Sequence, residues 1–455
     1  MSEHIDPPTD FRSDTPYPAP SVAWYATLLL AFLYWLSILD RFIISLLVEP
    51  IKRDMGISDL QFGLLHGAAF AITYSLFGLI AGALADRFPR RWIIFVSVAA
   101  WSMATAACGM AQNFWHLLIA RVGVGMGEAG LNPSATSMLT DLFPRSRLTS
   151  AMAVYSMGAT VGSGTAYLLG GAIVELVSKS ETFSIPLIGA IPSWQAVFFI
   201  IGVPGVFLSL LIFTLPEPLR RDRSNIKQSS GFWKSIYEAY KNLIQFIRTQ
   251  SRFFAHHYSG FMFASAVMGG CGVWYPAHMA RTFAWSSSEI GLSLGITLVA
   301  AGILGKFICG FAVDTMYSKG YRDGQFRWYA CCLVLATPFG ILATTTANPV
   351  IFLSCVAVFL ALLAPLPACY VASLNLVTPN ELRGTGIAFF AGTAGLIGIG
   401  AGPIIVAGIG ESLFAGSNTI GAGMATTIAI FCPIAAVLLA TGCKSMRTAV
   451  NAAES

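Results

Sequence analysis

Apolar stretches of about 20 residues, long enough for a helix to cross the roughly 30 Å hydrocarbon core of a bilayer, recur twelve times along this chain. A lipid solvent offers no partner to a free backbone N–H or C=O, so each stretch is expected to be an α-helix. The spans read near 22–48, 60–84, 92–110, 115–138, 150–177 and 194–214, then 254–278, 290–313, 328–346, 350–377, 385–409 and 421–442. Only 11% of the residues are charged and 55% are apolar, whereas a soluble domain carries about 25% charged residues. Too few charges remain to build a water-facing surface, which excludes a soluble enzyme, a nucleic-acid binder and a disordered scaffold.

Twelve crossings put both termini on one side. The long connection at 216–253 separates an expected six-helix bundle at 21–215 from a second at 254–443, with tails at 1–20 and 444–455. The first 20 residues carry Glu3, Asp6, Asp10, Asp14 and five prolines, which reads as a solvated, disordered tail and not as a signal peptide. If tails and connection are cytoplasmic, that side holds 20 of the 27 Lys and Arg, and the outer loops hold only Lys52, Arg53, Lys179 and Arg281. The positive-inside rule selects this orientation, in a bacterial inner membrane. Within the connection Phe232, Ile236, Tyr240, Leu243 and Ile247 recur at helical spacing, which predicts an amphipathic helix lying on the inner leaflet.

The halves repeat one another. Gly82-Ala83-Leu84-Ala85-Asp86 after span 2 returns as Gly310-Phe311-Ala312-Val313-Asp314 after span 8, and Pro144 with Arg147 returns as Pro379 with Arg383. Parallel repeats of six spans suit a transporter that binds its substrate between the halves. Nine cysteines lie in or beside apolar runs without metal-ligand spacing, so reduced thiols, no metal and no cofactor are expected.

The run Gly82, Leu84, Ala85, Asp86, Arg87, Arg90, Arg91 resembles the cytoplasmic signature of the major facilitator superfamily, with Pro89 where a glycine is usual. Ile38-Leu39-Asp40-Arg41, Ile57-Ser58, Gly63-Leu64-Leu65, the stretch "RVGVGMGEAG" at 121–130 and Phe143-Pro144-Arg145-Ser146-Arg147 resemble the spinster branch of that superfamily. The resemblance implies an all-α membrane protein of twelve helices in two pseudo-symmetric halves, and secondary transport by alternating access. Its relatives are associated with export of sphingolipid-type or lysophospholipid-type amphiphiles. It also implies a cytoplasmic gate from Gly82, Asp86, Arg87, Arg90, Arg91, Arg147, Asp314 and Arg383, in which Asp86 meets the start of span 11.

Charge inside a bilayer is costly, about 2.5 to 3.5 kcal/mol per group on insertion scales. Asp40, Arg41, Arg121, Glu128 and Lys306 therefore each need a reason. Counted from the span ends at 1.5 Å per residue, Asp40 and Arg41 fall at a depth between Arg121 and Glu128. Two readings stand: a closed network that fixes the packing of spans 1 and 4, or a proton and substrate relay. In the relay, Glu128 among small residues is expected to carry the proton, and Asp40 to be held ionised by Arg41 or Arg121. Lys306 either snorkels or meets an anionic headgroup, and Tyr34, Trp274, Tyr275, Tyr370 and Asn375 are candidates to line the cavity opposite. Isolated histidines such as His66 read as interfacial.

The expected activity is secondary active transport of an amphipathic or anionic substrate, with proton coupling, membrane lipids as neighbours, no nucleic acid, and a monomeric state. The competing reading is a membrane sensor or receptor that keeps the fold without transport. No nucleophile–base pair or metal cluster supports an enzyme.

Overall fold

In the computed structural model, residues 17–85, 87–180, 182–185, 189–220, 232–416 and 419–454 are described. Most of the acidic tail, Asp86, and the basic residues Arg221, Arg223 and Lys227 lie outside the described residues. The helix boundaries follow local chemistry. Helix α1 (Pro20–Ile43) runs through one 3-10 turn into α2 (Val48–Met55), which stops at Gly56, left-handed at φ 64°. Ser58 and Gln61 form a capping box that starts α3 (Asp59–Gly63); a π-helical segment, Leu64–Ala68, then joins it to α4 (Ala69–Ala85). After α5 (Arg90–Cys108), the Asn113 side chain caps α6 (Phe114–Glu128), and a break at Ala129 and Gly130 leads to α7 (Leu131–Leu142). The first half closes with α8 (Arg145–Ser178) and α9 (Ser193–Leu208). Between them an antiparallel hairpin, β1 (Thr182–Ile185) with β2 (Gly189–Pro192), pairs Thr182 with Pro192. This hairpin departs from the all-helical expectation; it sits in a loop beyond the spans, where the composition no longer demands helix.

The connection forms α10 (Phe232–Thr249), and its Leu243 is buried as the amphipathic pattern requires. The second half comprises α11 (Ser251–Phe283), α12 (Ser287–Ser318), α13 (Gly324–Thr345), α14 (Pro349–Leu363) with α15 (Leu366–Val377), α16 (Asn380–Gly395) with α17 (Gly402–Leu413), and α18 (Thr419–Glu454). A second π-helical segment, Leu396–Ala401, separates α16 from α17. Ten stretches of the described residues are long and apolar enough to cross a membrane. The other two expected crossings correspond to α6 with α7, diluted by Arg121 and Glu128, and to α11, whose apolar run is diluted by Gly269, Gly270, Gly272, Trp274, Tyr275 and Pro276.

We call the face carrying the start of α1 and the end of α18 the near face, and the face carrying α2 and the hairpin the far face. The halves meet tightly toward the far face. There the two π-helical segments press together, and a Cβ on Gly67 would lie 2.5 Å from the carbonyl oxygen of Gly400. Helix α8 crosses α12 as closely, since a Cβ on Gly171 would lie 2.4 Å from the Ser287 carbonyl oxygen. Small residues at a helix interface permit close, sliding contact, and the contacts at Gly171 and Gly400 have that form. Gly67→Ala should therefore separate spans 2 and 11 and destabilise this state by about 1–3 kcal/mol, the usual cost of overpacking. Gly78→Ala, whose Cβ would meet nothing within 4 Å, is the control, and thermal unfolding in detergent compares them.

Candidate functional site

Ser37 and Arg41 lie four residues apart on α1 and so share a face. That face meets Glu128 at the end of α6. Arg41 Nη2 and the Ser37 hydroxyl each donate to Glu128 Oε2 at 2.6 Å. Asp40 sits about 100° around the helix from Arg41 and points instead to α5, where the Thr105 hydroxyl donates to its Oδ2 at 2.6 Å. Neighbouring residues on a helix cannot face each other, so Arg41 does not bond to Asp40, and among the described residues Arg121, the other expected partner, does not bond to it either. The assignment thus reverses: Glu128 is the carboxylate held by a cation, and Asp40 is the one bonded to a hydroxyl alone.

All four charges come together, but the network is open. Asp40 Oδ1, Glu128 Oε1, Arg41 Nε, and Arg121 Nε and Nη2 are buried without a hydrogen-bond partner among the described residues. Arg121 is 1% exposed and faces the Phe70 ring at 5.6 Å, while Arg41 lies 4.5 Å from the same ring and 5.1 Å from Tyr74. Cation–π contact offsets part of the desolvation of both guanidiniums. From Tyr74 a polar line continues, since Asn132 Nδ2 donates to the Tyr74 hydroxyl at 3.0 Å and Tyr155 donates to Asn132 Oδ1. Tyr155 stacks on Tyr34 at 5.1 Å.

Tyr34 and Tyr370 do line a central cavity of about 520 Å³, together with Arg41, His66, Ser265 and Met268. His66 is thus no interfacial residue; the π-helical segment carries it to the cavity wall. Three other candidates are displaced. Trp274 is fully buried and donates to the Pro403 carbonyl at 3.0 Å, and Tyr275 is buried against Phe352, so both pack and do not face the cavity. Asn375 lines a separate cleft with Asp314 and Tyr317. Lys306 neither snorkels free nor enters the central cavity; its Nζ donates to Thr160 on α8 at 3.2 Å, across the two halves.

Of the expected gate, Asp86 lies outside the described residues, while Arg87, Arg147 and Asp314 are exposed and Gly82 and Arg383 half-buried. Arg90 is a correction. It is 1% exposed and clasped by Asp141 of the first half and, just past span 6, by Glu217 at 3.0 Å and the Pro218 carbonyl at 2.7 Å. Arg91 joins it, donating to the Leu215 carbonyl at 2.7 Å, and both backbone N–H groups bond to the Glu217 carboxylate at 3.0 Å. An anion at the α5 N-terminus is well placed for the helix dipole, so this pair ties span 3 to the end of span 6 and does not join the halves.

An ionic contact that does join them was missed. On the far face Arg281, at the end of α11, donates to Glu49 Oε1 at 2.7 Å and to both oxygens of Asp59 at 2.8 Å, and Lys52 also pairs with Asp59. Leu60 N–H adds a bond to Glu411 at 3.1 Å. Arg281 was visible only as one of four basic residues expected in outer loops, and its partners lie more than two hundred positions away, beyond the reach of spacing arguments. Ser37, by contrast, had a legible signal in its four-residue offset from Arg41.

The family model of the Major Facilitator Superfamily matches residues 30–403. The chain belongs to the Major Facilitator Superfamily. Its fold and family are those of transporters and not of enzymes. This superfamily member is 28% identical to an MFS-type efflux pump of Mycolicibacterium smegmatis over 87% of this chain and 86% of that one. It is 28% identical to a hexuronate transporter of Bacillus subtilis over 86% and 89%. Its structure is similar to that of a bacterial homolog of the human lysosomal transporter spinster in an inward-facing, unoccupied conformation, with a TM-score of 0.76 and 27% identity over 95% of this chain and 98% of that one. The spinster resemblance read from 38–147 agrees with that match.

The Arg41–Glu128 pair carries a stability consequence. Arg41→Ala strands Glu128 in a low-dielectric site and should cost about 3–5 kcal/mol, whereas replacing both residues by methionine should recover most of that loss. Thermal unfolding of the three proteins in one detergent measures the difference.

Proposed function

We propose that this superfamily member is a proton-coupled secondary transporter of an amphipathic or organic-anion substrate, working by alternating access in a bacterial inner membrane. The near face, with both termini and α10, is cytoplasmic in this reading, supported by the basic residues gathered there. Residues 21–215 and 254–443 act as the two rocking bundles of a monomer, with 216–253 as their cytoplasmic connection. The bonds at Arg281 and the close glycine contacts at the far face support an inward-open state.

The observation that carries the reading is the open charge network beside the cavity. A network serving only to pack spans 1 and 4 would satisfy its buried members, and here atoms of Asp40, Glu128 and Arg121 are left for a proton or a ligand. Arg41 faces the cavity and suits an anionic group, which it would draw away from Glu128. Asp40, with no cation bonded to it, is the carboxyl free to exchange its proton. The amphipathic substrate finds support next door. The cavity shares Ala391, Gly395 and Ile399 with an apolar cleft of about 610 Å³ between spans 2 and 11, walled by Phe70, Leu79, Phe389 and Leu396 and reaching Tyr240 of α10. A headgroup at Arg41 would leave its apolar chain along that cleft. The hexuronate transporter of similar sequence favours a small organic anion instead, so glucuronate and a lysophospholipid are the two substrates to compare.

Asp40→Asn should abolish uptake driven by a pH gradient in proteoliposomes while leaving gradient-free exchange intact, because exchange need not cycle the proton. Gradient-driven uptake at the wild-type rate would remove Asp40 from the coupling. At the far face, Arg281→Gln removes every bond from Arg281 to Glu49 and Asp59. A cysteine placed at Met268 in the cavity should then react several-fold faster with an impermeant thiol reagent added from the far side.

A further inference from the structure

The elbow between α10 and α11 forms, with the last turns of α18, a polar groove of about 410 Å³ that shares no lining residue with the central cavity. Gln250, Ser251, Arg252, His256, Lys444 and Ser445 line it, and no acidic residue does. Arg252 and Lys444 are exposed, and among the described residues neither side chain has a bonding partner. The nearby carboxylate, Asp323, is already engaged by Arg327 at 2.9 Å and Arg447 at 3.6 Å. Two uncompensated cations therefore converge on one concavity.

The depth of the groove says what kind of anion it meets. It lies where α11 begins and where the apolar run of α18 gives way to Lys444, at the headgroup level of the near leaflet. Thr441 lines the groove, and Val437, 61% exposed, lies one turn before it and two turns before Lys444, so all three share one face of α18. An occupant with its phosphate at Arg252 and Lys444 can lay its apolar chain along Val437, toward the more deeply placed and also exposed Ile434. Basic pockets between membrane helices at this level suit anionic lipid headgroups.

We propose that this groove binds the phosphate-bearing headgroup of an anionic phospholipid. Bound there, the lipid braces the elbow from which α10 reaches span 11, where Tyr240 packs against Phe389 at the mouth of the apolar cleft.

The full chain, purified in detergent and given equimolar phosphatidylglycerol and phosphatidylcholine, is analysed by native mass spectrometry. It should retain phosphatidylglycerol preferentially. In Arg252→Gln with Lys444→Gln that preference should fall by about 25-fold, since each cation near a membrane surface contributes about fivefold. Lys241→Gln with Arg248→Gln removes the same charge from α10 outside the groove and should leave the preference unchanged. Equal retention of both lipids by the wild type, or an equal loss in the two double variants, overturns the site. Inorganic phosphate displacing phosphatidylglycerol at matched concentration would overturn the lipid as its occupant and assign the groove to free phosphate.

Discussion

Everything in the first half is arranged around taking charge out of water. Arg41 and Glu128 can occupy the interior of a bilayer only because each finds the other, and the helices that carry them must hold that distance. Span 4 meets the demand by breaking at Ala129 and Gly130, directly after Glu128, and small residues around it let α4 and α5 approach. Phe70 completes the arrangement by offering one ring to two guanidiniums. Spans 1, 2, 3 and 4 are in this way committed to one another by chemistry that has no equivalent among the described residues of the second half.

That asymmetry divides the labour between the halves. The first half presents Arg41 and the polar line through Tyr74, Asn132 and Tyr155, while the second supplies Tyr370, Met268 and the glycine-lined wall of the same cavity. Between them the contact is uneven. On the far face it combines backbone-to-backbone approach at Gly67 and Gly400 with the ionic contacts of Arg281. Contacts of those two kinds differ: glycine surfaces separate and reform without side-chain rearrangement, whereas Asp59 is buried and needs its second partner, Lys52, if Arg281 is to leave it.

The basic residues near the other face are used in three different ways. Arg90 and Arg91 are consumed by Glu217, just past span 6, which makes them structural. Arg327 and Arg447 share Asp323, and Arg252 and Lys444 are left uncompensated beside the end of α10. A positive-inside count treats all of these alike, because it records which side a charge lies on and nothing about its partner.

What the sequence by itself determined is whatever depends on local composition and on periodicity. The membrane-spanning helices, the amphipathic α10 and the superfamily were all legible, because a hydrocarbon solvent leaves a chain of this composition little choice but helices. The membership of the charge cluster was legible too, since depth along a helix follows from residue count. Its pairing was not. Asp40 and Arg41 are adjacent in the chain and point apart, while Arg41 and Glu128 are 87 positions apart and touch. Rotation about each helix axis decided that, and it is set by packing against every neighbouring helix at once. The same reason removed Trp274 and Tyr275 from the cavity wall, brought His66 to it through a π-helical segment, and joined Arg281 to Glu49 and Asp59. Depth is a property of one helix and can be counted; facing is a property of the bundle and exists only once the helices have packed.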